Sequence, residues 1–310
     1  MVNRFELNKA AIDWADVIFT TGGDGTFLMA ASRIVSSDKP LIGINSDPSR
    51  SVGYLCLPQP YSTDLEKTLD RLCSGNFEWS YRQRIRVLIE GENAGDGPIE
   101  LHNQQLLYPE YRYLELDHDN FKAIENSNVK SNSNSKLCTI PVRALNEVFV
   151  GESLSSRVSY YEFSINDQPK IKLKSSGLTI CTGTGSTSWS FNINRLTSQS
   201  VKSLFEIYEK EAGIVMSLDD TLIQRITQRF NDSLIFSPSK PSMAYTVRDP
   251  VMFGVDMKNT RGFANKIEVR SRMFDATVVI DGGLSYKFND GSFARFEICE
   301  EDKLKTICSL

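Results

Sequence analysis

The feature that most constrains this chain is Thr20 to Leu28, Thr-Thr-Gly-Gly-Asp-Gly-Thr-Phe-Leu, set between the apolar run Val17, Ile18, Phe19 and the run Met29, Ala30, Ala31. It reads as a strand, a glycine turn and a helix starting near Thr26. Gly22, Gly23 and Gly25 lack a Cβ, so a ligand can approach their backbone closely. The helix start behind them offers unpaired N–H groups and the positive end of a dipole, which suits a phosphate. Asp24 is the odd member, because a carboxylate here repels a phosphate unless it orients or deprotonates a hydroxyl or holds Mg²⁺. The plainer reading makes it a turn residue. The stretch is neither a P-loop nor a Gly-x-Gly-x-x-Gly dinucleotide fingerprint.

From Asp16 to Pro58 the pattern is strand, turn, helix (Phe27 to Val35), loop and a second strand, Pro40 to Ile44, which predicts a parallel α/β sheet. Ligands sit at the carboxyl ends of such strands, here Gly22 to Thr26 and Asn45 to Tyr54. A further helix is expected over Thr63 to Cys73. Only a short helical piece, Glu6 to Trp14, and one strand precede the glycine turn, so the first βα unit of a doubly wound domain is truncated or absent by design. Beyond Trp79 the segments Arg84 to Glu90, Val148 to Val150, Tyr160 to Ile165, Leu178 to Cys181, Ala244 to Val247, Lys266 to Arg270 and Thr277 to Asp281 are short and rich in β-branched and aromatic residues. They predict two packed sheets. The expected fold is therefore an α/β Rossmann-like nucleotide-binding domain over 1–78, completed by the tail 292–310, followed by an all-β sandwich-like domain over 79–291. Within the second, the Asn/Ser/Lys-rich stretch 125–137 reads as a mobile loop. Residues 197–230 read as a helical insertion, broken near Gly213, with Val201, Leu204, Phe205 and Tyr208 on a buried face.

A net charge of −4 and a pI near 5.5 argue against a general nucleic-acid binder. No apolar run approaches the roughly 20 residues that cross a bilayer. The six cysteines are scattered without a Cys-x-x-Cys pair and there are two histidines, His102 and His118, which disfavours a structural zinc site, a disulfide framework or a Ser-His-Asp triad. The N-terminus carries neither a hydrophobic signal core nor an Arg-rich presequence.

Two further constellations carry chemistry. Asn146 and Glu147, at a strand entrance, place an amide beside a carboxylate, a pair able to meet an adenine edge or ribose hydroxyls. Gly177 to Asn192 runs a strand into a loop of small hydroxyl residues, Thr182, Thr184, Ser186 and Thr187, and ends on Trp189, a flat face for a ring. Each alone is also compatible with a surface pair and a Ser/Thr turn over a core tryptophan.

Gly22 to Thr26 resembles the signature of the kinase superfamily that contains NAD kinases, diacylglycerol and sphingosine kinases and phosphofructokinases. Together, Gly22 to Thr26, Asn146 with Glu147, and Thr184 to Trp189 closely resemble the NAD kinase family, whose motifs read Gly-Gly-Asp-Gly-Thr, Asn-Asp or Asn-Glu, and Thr-Gly-Ser-Thr-Ala-Tyr. The resemblance extends to Gly43 to Leu55 and Ile280 to Gly283, and the run Pro141 to Ser159, Trp189 and the helical insertion are most similar to the family's mitochondrial branch. It implies phosphoryl transfer from ATP, with Mg²⁺, to the adenosine ribose 2′-hydroxyl of NAD, in a mitochondrial (matrix) homo-oligomer, a homodimer favoured; from charge and hydropathy, neither nucleic-acid binding nor membrane insertion is expected.

By the same resemblance Asp24 contacts that hydroxyl as base or orienter, and Gly23, Gly25 and Thr26 hold phosphates. Asn146, Glu147, Thr184 and Thr187 bind the adenine side, with Tyr54 packing on the ring, and Asn45, Gly185, Ser186 and Ser188 belong to the same nucleotide-binding set. Lys174, Ser176, Trp189 and Asn192 face the rest of the dinucleotide, and Arg157 and Gly283 align with positions that approach NAD. No metal ligand among the protein's side chains is implied. Three positions depart from the pattern: Ser176 where most members have Asp, Gly183 where they have Pro, and Trp189 where they have Tyr. The loss of a carboxylate at Ser176 bears on the choice between NAD and NADH. The competing readings are a catalytically weak NAD-binding subunit and a lipid kinase of the same superfamily.

Overall fold

In the computed structural model, which describes residues 1–3, 6–101, 137–214, 219–251 and 259–309, the mixed α/β chain opens with a parallel crossover. Helix α1 (Lys9–Trp14) leads to strand β1 (Ile18–Thr21), helix α2 (Asp24–Arg33) and strand β2 (Leu41–Ile44). β1 and β2 pair in parallel, Ile18 with Leu41 through Thr21 with Ile44. α2 begins at Asp24 rather than in the expected Thr26 to Phe27 region, with Gly23 as its N-cap and no side-chain cap. An acid at the first helical position offsets the positive helix end and ends the glycine turn early. The helix expected over Thr63 to Cys73 is two, α3 (Gln59–Thr63) and α4 (Leu65–Cys73), parted at Asp64, whose carboxylate accepts the Lys67 N–H and caps the second.

The strands that follow are β3 (Glu78–Arg82), β4 (Ile85–Glu90), β5 (Ile99–Glu100), β6 (Cys138–Ala144), β7 (Glu147–Glu152), β8 (Ser159–Ile165), β9 (Ile171–Ser175) and β10 (Gly177–Cys181). After the helices come β11 (Met243–Arg248), β12 (Arg261–Ala264), β13 (Lys266–Ser271), β14 (Ala276–Ile280), β15 (Leu284–Lys287), β16 (Phe293–Ile298) and β17 (Leu304–Ser309). One sheet orders seven of them as β12-β11-β10-β7-β14-β15-β5, and the other six as β6-β4-β16-β13-β8-β9. Both obey the period of two: Ile85, Val87 and Ile89 in one sheet and Val148, Val150, Ile180 and Val278 in the other turn into one shared core.

The tail divides. β16 lies inside the six-stranded sheet between β4 and β13, where Ala294 and Phe296 enter the core, and only β17 runs back to pair with β3 and pack Ile307 beside Ile42 of β2. The expectation that 292–310 returns as one piece to the first domain is corrected accordingly. Between β10 and β11 lie α5 (Trp189–Asn194), α6 (Ser198–Ala212) and α7 (Asp220–Asp232). α6 ends at Gly213, whose φ of +65° is the left-handed conformation that closes a helix. The buried face expected on this insertion is corrected too: Val201 is buried, but Leu204 and Tyr208 are 60% and 51% exposed. α6 packs through one narrow stripe, which four positions at helical spacing overfill. His102, His118 and all of the expected loop 125–137 except Leu137 lie outside the described residues.

Arg84, in the turn between β3 and β4, is fully buried. Its guanidinium donates to the Ile34 and Val35 carbonyls just past α2, the latter at 3.1 Å, and to the Asp302 carbonyl at 2.5 Å. Burial pushes its pKa down to about 10. The Asp302 carboxylate is in turn held by Arg86 at 2.6 Å and Arg143 at 2.8 Å. The C-terminal end of α2 is thus bound to the strands of the six-stranded sheet by charge-assisted hydrogen bonds.

Candidate active site

The glycine turn is tight because it has to be. A Cβ on Gly22 would meet Thr26 Oγ1 at 2.3 Å, whereas one on Gly25 would meet nothing within 4 Å, so the outer side of the turn is open. Asp24 faces the loop after β2: its carboxylate accepts the Tyr54 N–H at 3.1 Å and the Leu55 N–H at 2.8 Å. Asn45 shapes the same loop, donating to the Ser51 carbonyl at 2.8 Å and accepting the Asp47 N–H at 3.1 Å. Gly53 sits at φ +64° against the Asn45 side chain, where a Cβ would come within 2.6 Å of Nδ2. Tyr54 leaves its ring exposed beside Asp24.

Asn146 and Glu147 lie at the start of β7, both buried. Asn146 Oδ1 and Glu147 Oε2 have no hydrogen-bond partner among the described residues. Burial first, and the nearby Asp281 carboxylate second, push the Glu147 pKa up to about 8. Leu145, next to them, belongs to the same buried cluster as Phe27, Ala30 and Ala31 of α2, which brings the second motif against the first.

The third motif folds over the second. Gly183 and Gly185 are obligatory: a Cβ would lie 2.1 Å from the Ser237 carbonyl oxygen and 2.1 Å from the Asn146 carbonyl oxygen. Thr182 binds the Leu145 carbonyl at 2.5 Å through its hydroxyl and the Asn146 carbonyl at 2.9 Å through its N–H. Asn146 Nδ2 donates to Ser188 Oγ at 3.4 Å. Ser186 is spent internally, donating to the Gly183 carbonyl and accepting the Phe236 N–H, and Thr187 and Asn192 bind the Thr184 and Ser188 carbonyls. Thr184 is buried and accepts from Arg82 Nη1 at 3.3 Å.

The remaining candidates form a second group. In the register of the seven-stranded sheet Glu147 pairs with Cys181, whereas Val150 pairs with Leu178. Ser176, two residues before Leu178, therefore lies level with the far end of β7, roughly 17 Å along the strand from Glu147, and Lys174 lies beyond it on β9 of the other sheet. Between the groups the outward side of the sheet carries Phe149, in contact with Trp189 at 5.5 Å between ring centroids, and Arg248, 5.3 Å from the Trp189 ring. Lys174 stands 5.0 Å from the Tyr160 ring. Arg157 lies on the turn after β7 and reaches Glu152 at 4.0 Å, away from Asn146. Gly283 lines a cavity of 1160 Å³ together with Gly25, Thr26, Met29 and Asp281, a lining that does not include Tyr54. Among the described residues no group of three or more His, Cys, Asp or Glu could hold a metal ion. The sequence gives no direct sign of Arg82, Phe149 or Arg248, whose parts depend on strands that meet only in the fold. Asp281 shows in the sequence only as part of the resembling stretch Ile280 to Gly283, with nothing to say what its carboxylate binds.

No family model matches the chain. It is 43% identical over 308 residues to NAD kinase 2, mitochondrial, of Rattus norvegicus, covering 99% of this chain and 71% of that one. Among solved structures, yeast NADH kinase complexed with NADH superposes with a TM-score of 0.59 at 14% identity, covering 96% of this chain and 62% of that one, just under two thirds. An NAD kinase from Archaeoglobus fulgidus in complex with ATP gives 0.53 at 17% identity, over 94% and 78%. At these identities the structural likeness speaks for the fold.

Proposed function

The chain belongs to the NAD kinase family, in its mitochondrial-type branch, and is an NAD kinase; on that premise we propose that it moves the γ-phosphoryl group of ATP onto the adenosine ribose 2′-hydroxyl of NAD, with Asp24 orienting the nucleophile. The observation that carries this assignment to residues is the pair of buried acceptors without protein partners, Asn146 Oδ1 and Glu147 Oε2, at the point where all three motifs converge. An adenine edge sets a ring-nitrogen acceptor beside an amine donor. With its pKa near 8, Glu147 keeps its proton at neutral pH, so its carboxyl both donates and accepts and matches that edge. Trp189, Phe149 and Arg248 then provide the surface along which the rest of the dinucleotide lies toward Lys174 and Ser176.

In phosphoryl transfer the protein mainly positions groups and neutralises charge. The N–H groups of Tyr54 and Leu55 fix the Asp24 carboxylate, so its remaining lone pairs are pre-aimed. A sugar hydroxyl is far too weak an acid to lose its proton to a carboxylate beforehand, so Asp24 accepts it late, as the new P–O bond forms. Gly23, Gly25 and Thr26 hold phosphates at the open side of the turn. Mg²⁺, arriving with ATP, supplies charge neutralisation at the phosphates. Residues 1–78 form the phosphate-binding part and 79–291 the dinucleotide-binding part of a homodimer in the mitochondrial matrix. The rat relative's name supports the mitochondrial location. No helix of the described residues is long and apolar enough to cross a membrane.

The test is direct. The purified chain given NAD, ATP and Mg²⁺ is expected to form NADP, read with an NADP-specific dehydrogenase. Asp24→Asn is expected to lose about 100-fold or more in kcat while binding NAD within a few-fold of wild type. Near-normal turnover in that variant would overturn the role of Asp24.

A further inference from the structure

We propose that Asp281, in the turn between β14 and β15, is the positioning residue that sets the adenosine-binding geometry of Asn146 and Glu147; this rests on the NAD kinase reading of that site. One carboxylate gathers three consecutive backbone N–H groups. Oδ2 accepts Leu145 N–H at 2.8 Å, and Oδ1 accepts Asn146 N–H at 2.8 Å and Glu147 N–H at 3.0 Å. The Asp281 N–H donates to the Glu147 carbonyl at 2.9 Å, which closes the arrangement reciprocally. Three N–H groups pointing at one spot form an anion-binding concavity, and here the chain supplies its own anion.

Residues 145–147 are held from the other side as well. The Thr182 hydroxyl and N–H bind the Leu145 and Asn146 carbonyls, and Gly185 packs against the Asn146 carbonyl with no room for a side-chain atom. Every backbone polar group of Asn146 is therefore bonded, which fixes the point and the direction from which its side chain departs. Asp281 takes this position at a cost, since it is a non-glycine residue at φ +48°, followed by Gly282 at φ +66°. Left-handed backbone at a residue with a Cβ persists where surrounding bonds over-determine it. Glycine would occupy this turn without strain, so the carboxylate is what the position requires. Asp281 also lines the cavity shared with Gly25, Thr26 and Gly283, but its carboxylate oxygens are bonded to residues 145–147 and not to the glycine turn.

Three variants separate this role from a merely structural one. Asp281→Gly relieves the backbone and empties the concavity. Asp281→Asn keeps the shape and one carbonyl oxygen but turns an NH₂ toward the Leu145 N–H. Asn146→Ala reports on the site itself. NAD affinity is measured by calorimetry, KM for NAD and for ATP and kcat by steady-state assay, and folding by thermal melting. Both Asp281 variants are expected to weaken NAD binding and raise its KM by about tenfold. Their KM for ATP and their kcat at saturating NAD should stay within twofold of wild type, with Asn in deficit by less than Gly. If Asn146→Ala weakens NAD binding while both Asp281 variants bind like wild type, Asp281 is structural and the inference falls. Equal losses in kcat and in both KM values, tracking the melting temperature, would also overturn it. If wild type binds NAD but Asn146→Ala binds equally well, the placement of adenosine at Asn146 fails instead, and the inference with it.

Discussion

Glu147 carries a proton at pH values where an exposed glutamate would be charged, and that has a sign. Its pKa rises from 4.5 to about 8 in the folded chain. Between those values the unfolded chain releases the proton and the native state keeps it, so the stabilisation is complete below about 4.5 and is lost progressively as pH rises to about 8. Glu147→Gln removes this dependence. Melting curves should show the variant gaining on wild type steadily from pH 5 to pH 8 and no further above pH 9; a constant difference would exclude a buried neutral carboxyl. Residues of this kind divide by how far their chemistry reaches along the chain. Asp24 is legible because the strand before it and the helix after it are local. Its partners Tyr54 and Leu55 were visible only as a second loop at the same sheet edge, and Asp281 works across 136, 135 and 134 residues, a separation at which no local pattern points to a partner.

At the scale of elements, strands with alternating apolar residues and a clear face are readable, whereas the edge strands β5, β6, β9 and β12 and the interior strands β15 and β16 are not. β6 contains Pro141, which argues against a strand, yet β6 lies at the edge of its sheet, where a missing N–H costs little, and its register with β4 shifts between Arg86 and Leu88. β17 and β3 form their own two-stranded ribbon with Trp79 and Tyr81 exposed, which hides the return of the tail in a pattern that resembles surface. The loop from Thr182 to Ser188 folds over Asn146 and Glu147, the proposed adenosine contacts. Gly185→Ala would force its methyl into the Asn146 carbonyl, so urea unfolding should show a loss of about 3 kcal/mol. The surviving folded fraction should bind NAD more weakly, because the carbonyl that must yield belongs to Asn146. Unchanged stability would mean that the loop relaxes freely, contrary to its hydrogen bonds on both sides.

Across the whole molecule, the parallel β1-β2 layer and the two antiparallel sheets are joined by Leu145 in the α2 cluster, by β17, and by the buried Arg84. The change of texture near Trp79 is plain in the sequence. The joint is not, because Arg84 reads there as the first residue of a strand. Arg84→Met would leave the Ile34, Val35 and Asp302 carbonyls without their donor, and chemical denaturation should show a loss of at least about 3 kcal/mol. A loss below about 1 kcal/mol would mean that water replaces the guanidinium at no expense. The same clamp makes α2 a lever. Its 10 residues span about 15 Å, and the guanidinium grips the end opposite Asp24. A tilt of about 10° around that fulcrum swings the carboxylate through about 2.5 Å, enough to carry it out of hydrogen-bonding reach of a ribose oxygen. On the proposed role of Asp24, the aim of that carboxylate at the hydroxyl depends on a pivot about 15 Å away, at the other end of its helix.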